Sequence, residues 1–308
     1  LSLESDLILD RRRLKRRLVF WRSFAVLAVV VAALVGFGAG GGLPLTGARV
    51  ERLTVDGIIS DDRKLTEAVA KLADDASVKA LIVSIDSPGG RVAGGESLHN
   101  AIARVAAKKP VVAVMRGLAA SAGYMIAVPA TRIFASGATL TGSIGVILET
   151  GEVSGLLSKV GVTADAITSG PLKDQPSYTK PLSPQGREVL HGLVMDLYEQ
   201  FVGMVATGRH MDPDRVRALA DGRAYSGHQA LPLGLVDAIG DEYDARQWLA
   251  ANKDVPASLP TGDLSTKSLT DRMLSGSLAP IINGLWKTLI SQSLTLDGPM
   301  AIWQRPHE

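Results

Sequence analysis

A continuous apolar run, Ala80-Leu81-Ile82-Val83-Ser84-Ile85, ends in Ser87-Pro88-Gly89-Gly90, and a second run, Val111–Met115, follows a helix-like segment at Glu96–Ala107. Runs without polar alternation are what strands covered on both faces need. Two such strands joined by a helix form a βαβ unit, which fixes a parallel sheet and an α/β fold class. The same order extends on either side. Val50–Ile59 alternates like a half-buried strand, Leu65, Val69 and Leu72 recur at helical spacing, and short strands are predicted at Arg132–Ala135 and Val162–Ile167. The turn sequence at Ser87–Gly90 is expected to stop its strand sharply.

The character changes after Gly170. Pro171 to Pro184 reads as a polar, proline-rich loop, and a long helix is predicted from Pro184 to about Gly208, with Val189, Leu193, Leu197 and Phe201 on one face. Two shorter helices and a return strand are expected through Ile239. Asp254–Ser275 reads as a linker, and Leu278–Leu294 as an amphipathic stretch. No internal repeat is visible, so one catalytic-sized domain is placed at 44–250, with linker and tail over 251–308.

The amino terminus predicts topology. Arg11-Arg12-Arg13-Leu14-Lys15-Arg16-Arg17 precedes an apolar run from Phe24 to Leu43. About 20 such residues match the hydrocarbon core of a bilayer, so a transmembrane anchor is expected at 23–43. The cationic flank at 1–22 is then cytoplasmic and everything after Pro44 lies across the membrane. A cleavable signal peptide is the competing reading, given the small residues at Gly38–Gly42.

Composition excludes some chemistry. The net charge of +2 gives no reason to expect a nucleic-acid partner. The absence of cysteine excludes disulfides, thiolate metal sites and a cysteine nucleophile. No metal-ligand spacing is present, so neither metal nor cofactor is predicted.

Three glycine-rich turns, Asp86–Gly90, Ala119–Gly123 and Thr141–Gly145, fall at strand ends or in loops. In an open α/β sheet that is where ligands bind. Ser121 stands between a strand and a helix-like stretch with only small neighbours, which suits an exposed nucleophile beside free amides. A packed turn that lets a helix lie close to the sheet accounts for the same residues. In Ser-Pro-Gly-Gly, the glycines permit an outward-facing amide at Gly89 or Gly90, as an oxyanion hole requires, but an ordinary turn has the same composition. A serine nucleophile needs a base. The five histidines share no motif, which leaves a lysine such as Lys173, flanked by Gly170, Pro171 and Leu172. A solvated loop lysine is the plain alternative.

Taken together, Asp86-Ser87-Pro88-Gly89-Gly90, Ala119-Ala120-Ser121-Ala122-Gly123-Tyr124, Thr141-Gly142-Ser143-Ile144-Gly145-Val146, Ser169-Gly170-Pro171-Leu172-Lys173-Asp174 and Asp221-Gly222-Arg223 resemble, in order, the motifs of the signal peptide peptidase A (SppA) serine proteases. The resemblance covers roughly Val50 to Asp244. It implies a fold similar to Clp protease and crotonase, a parallel sheet with a helical arm. It implies Ser121 as nucleophile, Lys173 as general base, Ser143 as the group orienting that lysine, and the amides of Gly89 and Ala122 as the oxyanion hole. It further implies a membrane-bound endopeptidase of the bacterial inner membrane, acting on remnant signal peptides, and a homo-oligomeric ring in which neighbouring subunits share sites. The chain departs from many members by placing Ala122, not glycine, after the nucleophile. Two other classes stay open: a catalytically silent membrane-tethered scaffold, and a crotonase-like acyl-transfer enzyme.

Overall fold

The computed structural model describes residues 17, 20–26 and 47–264. In chain order the elements are β1 (Arg49–Ile59), α1 (Arg63–Lys71), β2 (Val78–Gly90), α2 (Val92–Ala106), β3 (Val111–Ala120), α3 (Ala122–Ala127), β4 (Arg132–Ala135), β5 (Leu140–Gly142) and α4 (Ser154–Lys159). They continue with α5 (Pro184–Arg209), α6 (Pro213–Leu219), β6 (Ala224–Ser226), α7 (Gly227–Leu233), β7 (Ala238–Ile239), α8 (Glu242–Lys253) and β8 (Thr261–Asp263). The sheet-bearing unit runs Leu45–Thr266.

The apolar runs become the central strands for the reason their pattern gives. Leu81, Val83 and Ile85 of β2 join one buried cluster, with Ala113 and Met115 of β3 and residues of α1, α2 and α3. Ala80 and Ile82, with Val112 and Val114, join a second cluster on the other face, closed by Ala245 and Leu249 of α8. Side chains alternate across a strand, so a strand covered on both faces must be apolar at every position. Fully burying such a side chain contributes about 1.5–3 kcal/mol, whereas an exposed ion pair adds little. The fold is therefore held by these two layers and not by surface pairs such as Arg63–Glu67.

The sheet order is β6-β5-β3-β2-β1-β8, with β4 beside β3 and β7 beside β4. The β5–β6 pair is antiparallel and the other pairs are parallel. The expected α/β class and parallel sheet are present.

Four expectations need correction. β2 does not stop at Ser87; it continues through Gly90, with a register shift beside β1 between Asp56 and Ile58. Val162–Ile167 is not a strand, and Ile167 is fully exposed. Its alternation has no sheet edge to pair with, and strand propensity without a partner does not make a strand. The segment Asp254–Ser275 is not all linker, because β8 pairs with β1 at Val50–Arg52. Finally, the apolar face of α5 is buried only in its second half, at Phe201, Val202 and Val205. Val189 and Leu193 are about half exposed, at 51% and 49%.

Residues 20–26 are helical. Among the described residues no helix is long and apolar enough to cross a membrane. The remainder of the expected anchor, 27–43, and the Leu278–Leu294 stretch lie outside the described residues.

Candidate active site

β3 changes partner along its length. Val112–Met115 pair with β4, and Leu118–Ala120 pair with β5. The Asp86 carboxylate marks the change, its Oδ1 accepting the Leu118 N–H at 3.1 Å. A register shift between Ile85 and Ser87 sets Ser87 opposite Ala119. The far end of β3 is thereby delivered next to the Ser87–Gly90 segment, and Ser121 follows it directly.

Ser121 has φ +54° and ψ −121°. A residue with a side chain rarely adopts a positive φ, and such conformations cost about 1–3 kcal/mol unless the surroundings hold them. Here the Ser121 N–H donates to Gly142 O at 2.9 Å, and the Ser121 carbonyl accepts from Met125 N–H at 2.9 Å to start α3. The residue is pinned to β5 on one side and to its own helix on the other. Its side chain is half-buried, while Ala120, Ala122 and Gly123 around it are buried.

Gly89 abuts this serine. Its φ is +109°, and a Cβ there would lie 2.8 Å from Ser121 Cβ and 3.0 Å from Ala122 N. A side chain at this position would fill the space beside the nucleophile. Gly142 supplies the third strand end, at φ +75°, where a Cβ would meet the Tyr225 ring at 2.7 Å. Ser143 follows, also left-handed at φ +47°, with its N–H donating to Arg223 O at 2.9 Å. The Asp221-Gly222-Arg223 motif thus frames the Ser143 turn through the β5–β6 pairing. The glycine-rich turns read from the sequence do meet at one place, and Ser121, Ala122, Gly89 and Ser143 belong to it.

Lys173 is the remaining candidate. It is exposed in the loop between α4 and α5, with its backbone N–H on Gly170 O at 3.1 Å. Among the described residues no hydrogen bond joins it to Ser121 or Ser143. The nearby charges pair with each other: Lys180 reaches Asp165 at 3.2 Å and Asp174 at 3.7 Å.

Support for α3 comes from one buried and one half-buried group. Tyr124 is fully buried and donates its hydroxyl to Leu235 O at 2.9 Å, and burial pushes its phenol pKa up. His99 on α2 contacts Met125 O through Nδ1 at 2.8 Å. A carbonyl only accepts, so Nδ1 carries the proton. Burial holds the His99 pKa below its ordinary value.

The sequence reading gave no individual role to Ser87 or Asp86, which it named only within a motif, or to His99. Ser87 is fully buried and its Oγ accepts the Gly89 N–H at 3.1 Å. A hydroxyl two residues before a glycine is the pattern of a side-chain-capped turn, which was the available signal. Nothing in the spacing of Asp86 or His99 distinguishes them from surface residues.

Past Ser143 the chain borders a groove of about 550 Å³, between Val146–Thr150 and the first turns of α5, whose lining is mostly apolar (Val146, Leu148, Leu190 and Val194 among it) but includes Arg187, Glu188 and His191.

Comparison with known proteins places the chain in a family. The sequence profile of peptidase family S49 matches residues 103–256, and that of Clp protease matches residues 54–138. The chain is 42% identical over 206 residues to "Putative protease slr0021" of Synechocystis, covering 67% of this chain and 74% of that one. It is 37% identical over 221 residues to "Putative signal peptide peptidase SppA" of Enterococcus faecium, covering 67% and 64%. Over 172 residues it is 41% identical to "Protease 4" of Salmonella typhi, which covers 56% of this chain and 28% of the relative. The strand order, the turns that converge on Ser121 and the S49 match lead to one assignment: the chain belongs to peptidase family S49, the SppA-type serine peptidases, on a Clp protease-like α/β fold.

Proposed function

We propose that the protein is a membrane-bound serine endopeptidase that degrades remnant signal peptides and other apolar peptides, with Ser121 as nucleophile and Lys173 as general base. The observation that carries this reading is the left-handed backbone of Ser121 at the junction of β3 and α3, with Gly89 packed against it. In the mechanism, a neutral Lys173 amine takes the Ser121 proton as Oγ attacks the peptide carbonyl. The amides of Gly89 and Ala122 hold the oxyanion, each such donor being worth about 10²–10³ in rate. The ammonium then protonates the leaving amine, and water activated by the same lysine hydrolyses the acyl-enzyme. Ser143 orients the lysine by hydrogen bonding.

This mechanism requires Lys173 to approach a serine to which no hydrogen bond joins it among the described residues. Self-association supplies the approach, the lysine loop of one subunit reaching the Ser121 of its neighbour. Exposed apolar side chains on the same part of the chain support that reading, among them Ile147, Leu156, Val160, Val189 and Leu193. The mostly apolar groove between Val146–Thr150 and α5 suits apolar stretches of a peptide substrate. The basic 1–22 segment and apolar 23–43 segment suit a single-pass anchor in the bacterial inner membrane, with a cytoplasmic amino terminus and the peptidase domain outside the cytoplasm.

The test is active-site labelling of the full chain in detergent with a fluorophosphonate. Wild type is expected to label, and Ser121→Ala and Lys173→Ala to lose labelling by at least 100-fold. Undiminished labelling of Ser121→Ala would remove the nucleophile assignment, and undiminished labelling of Lys173→Ala would remove the base.

A further inference from the structure

We propose that Ser87 is a latch on the oxyanion turn: its hydroxyl holds the Gly89 N–H in the resting enzyme and gives it up when the transition state forms. The inference rests on the reading of Gly89 as an oxyanion donor and adds a positioning residue to it.

The geometry is specific. The Gly89 N–H donates to Ser87 Oγ at 3.1 Å, and Ser87 Oγ lies 3.4 Å from Gly89 O. Both residues are buried, so this amide has exchanged water for the hydroxyl. An N–H has one direction. While it is aimed at Ser87 Oγ it is not free to point toward Ser121, whose Cβ would lie only 2.8 Å from a Cβ placed on Gly89.

What surrounds the turn restricts how the amide can be released. On one side Ser87 is paired opposite Ala119 of β3. On the other, Gly89 and Gly90 are paired with Ile58 and Ile59 of β1, and Arg91 N–H donates to Ile59 O at 2.9 Å. Between these fixed points lies the Pro88–Gly89 peptide. Pro88 is exposed, and Gly89 has a φ of +109° that only glycine adopts freely. Tilting this one peptide moves the N–H from the hydroxyl to the cleft without unpairing either strand. The exchange is favoured as charge develops, because hydrogen bonds to an ionised acceptor are about twice as strong as neutral ones. The resting hydrogen bond thus keeps a buried donor satisfied when no substrate is present, and subtracts from the stabilisation available when one is.

The experiment uses the full chain in detergent and compares wild type, Ser87→Ala, Ser87→Cys and Ser121→Ala. The readouts are the rate of fluorophosphonate labelling, kcat and KM on an apolar peptide, and the thermal unfolding midpoint. Ser87→Ala is expected to label about 3- to 10-fold faster and to raise kcat by a similar factor at unchanged KM, the worth of one neutral hydrogen bond no longer broken on the way to the transition state. Ser87→Cys, of similar volume but a weak acceptor, is expected to move in the same direction. A residue that merely supports the fold would lower the midpoint without raising kcat. Unchanged or slower labelling in variants that melt like wild type would overturn the latch, and so would failure of both variants to fold, since a latch is dispensable to the architecture. Labelling that persists in Ser121→Ala would fail the nucleophile reading instead, so the two failures are distinguishable.

Discussion

Four non-glycine residues of the described fold have a positive φ: Ser121, Ser143, His210 and Asp254. His210 and Asp254 end α5 and α8, where a left-handed residue is the ordinary way to finish a helix. Ser121 and Ser143 end no helix. Their strain is held by hydrogen bonds from their own amides to Gly142 and Arg223, which makes them the positions where the fold sets a side chain at its own cost. Both were legible, since each stands in a small-residue turn at a strand end. For the hydrogen bond from Gly89 N–H to Ser87 Oγ the sequence offered only the spacing of hydroxyl and glycine, because where the amide points depends on which way one peptide faces. A second residue-scale consequence concerns His99. Burial lowers its pKa, so between that lowered value and the ordinary value of about 6.5 the unfolded chain binds a proton that the folded chain does not. The stability this group contributes is present above about pH 6.5 and is lost as pH falls through the folded value. His99→Asn keeps a donor near Met125 O and removes the titration. Between pH 7.5 and pH 5.5 the wild-type unfolding midpoint is expected to fall further than that of the variant; equal falls would show that His99 does not contribute.

At the scale of elements, the long strands were readable and the short ones were not. β2 and β3 announce themselves because burial on both faces demands uninterrupted apolar residues. β8 is Thr261-Gly262-Asp263, with no apolar residue, and it is a strand only because β1 offers it an edge. Val162–Ile167 is the converse case, a strand-like pattern without an edge. α5 was legible as a helix, but its sequence does not say which half would find a core. What fixes its packed half is Arg209 near its last turn, with a side chain only 7% exposed. The guanidinium reaches Asp237 at 3.1 and 2.5 Å and Gly234 O at 3.0 Å, while Asp237 also accepts the Ile133 N–H at 2.7 Å. One cluster thereby joins α5, β4 and the approach to β7. Arg209→Met is expected to cost about 3 kcal/mol, because it leaves a carboxylate and a carbonyl without their donor. Denaturant unfolding measures this, and a loss below about 1 kcal/mol would mean that the cluster follows the packing and does not hold it.

For the whole domain, the region from Ile147 to Met195 presents apolar surface that nothing in the described chain covers, including Leu156, Val160 and Leu193. Monomeric soluble proteins rarely keep patches of this kind. Replacing Ile147 and Leu193 together by Glu is expected to shift the protein to smaller species in sedimentation velocity and to reduce labelling with them, since Lys173 lies in the same region. Smaller species that label as fast as wild type would place both members of the dyad within one chain. The domain's own ends carry a separate consequence. β1 begins, and β8 lies, at the margin of the sheet away from the nucleophile, with Val50 beside Thr261, whereas Ile58 at the other end of β1 stands beside Gly89. Eight residues of strand separate those points, about 25–30 Å. Strand β1 therefore acts as a ruler. An extended peptide whose backbone is fixed beside Val50 needs on the order of ten residues before it reaches the Gly89 end of the strand.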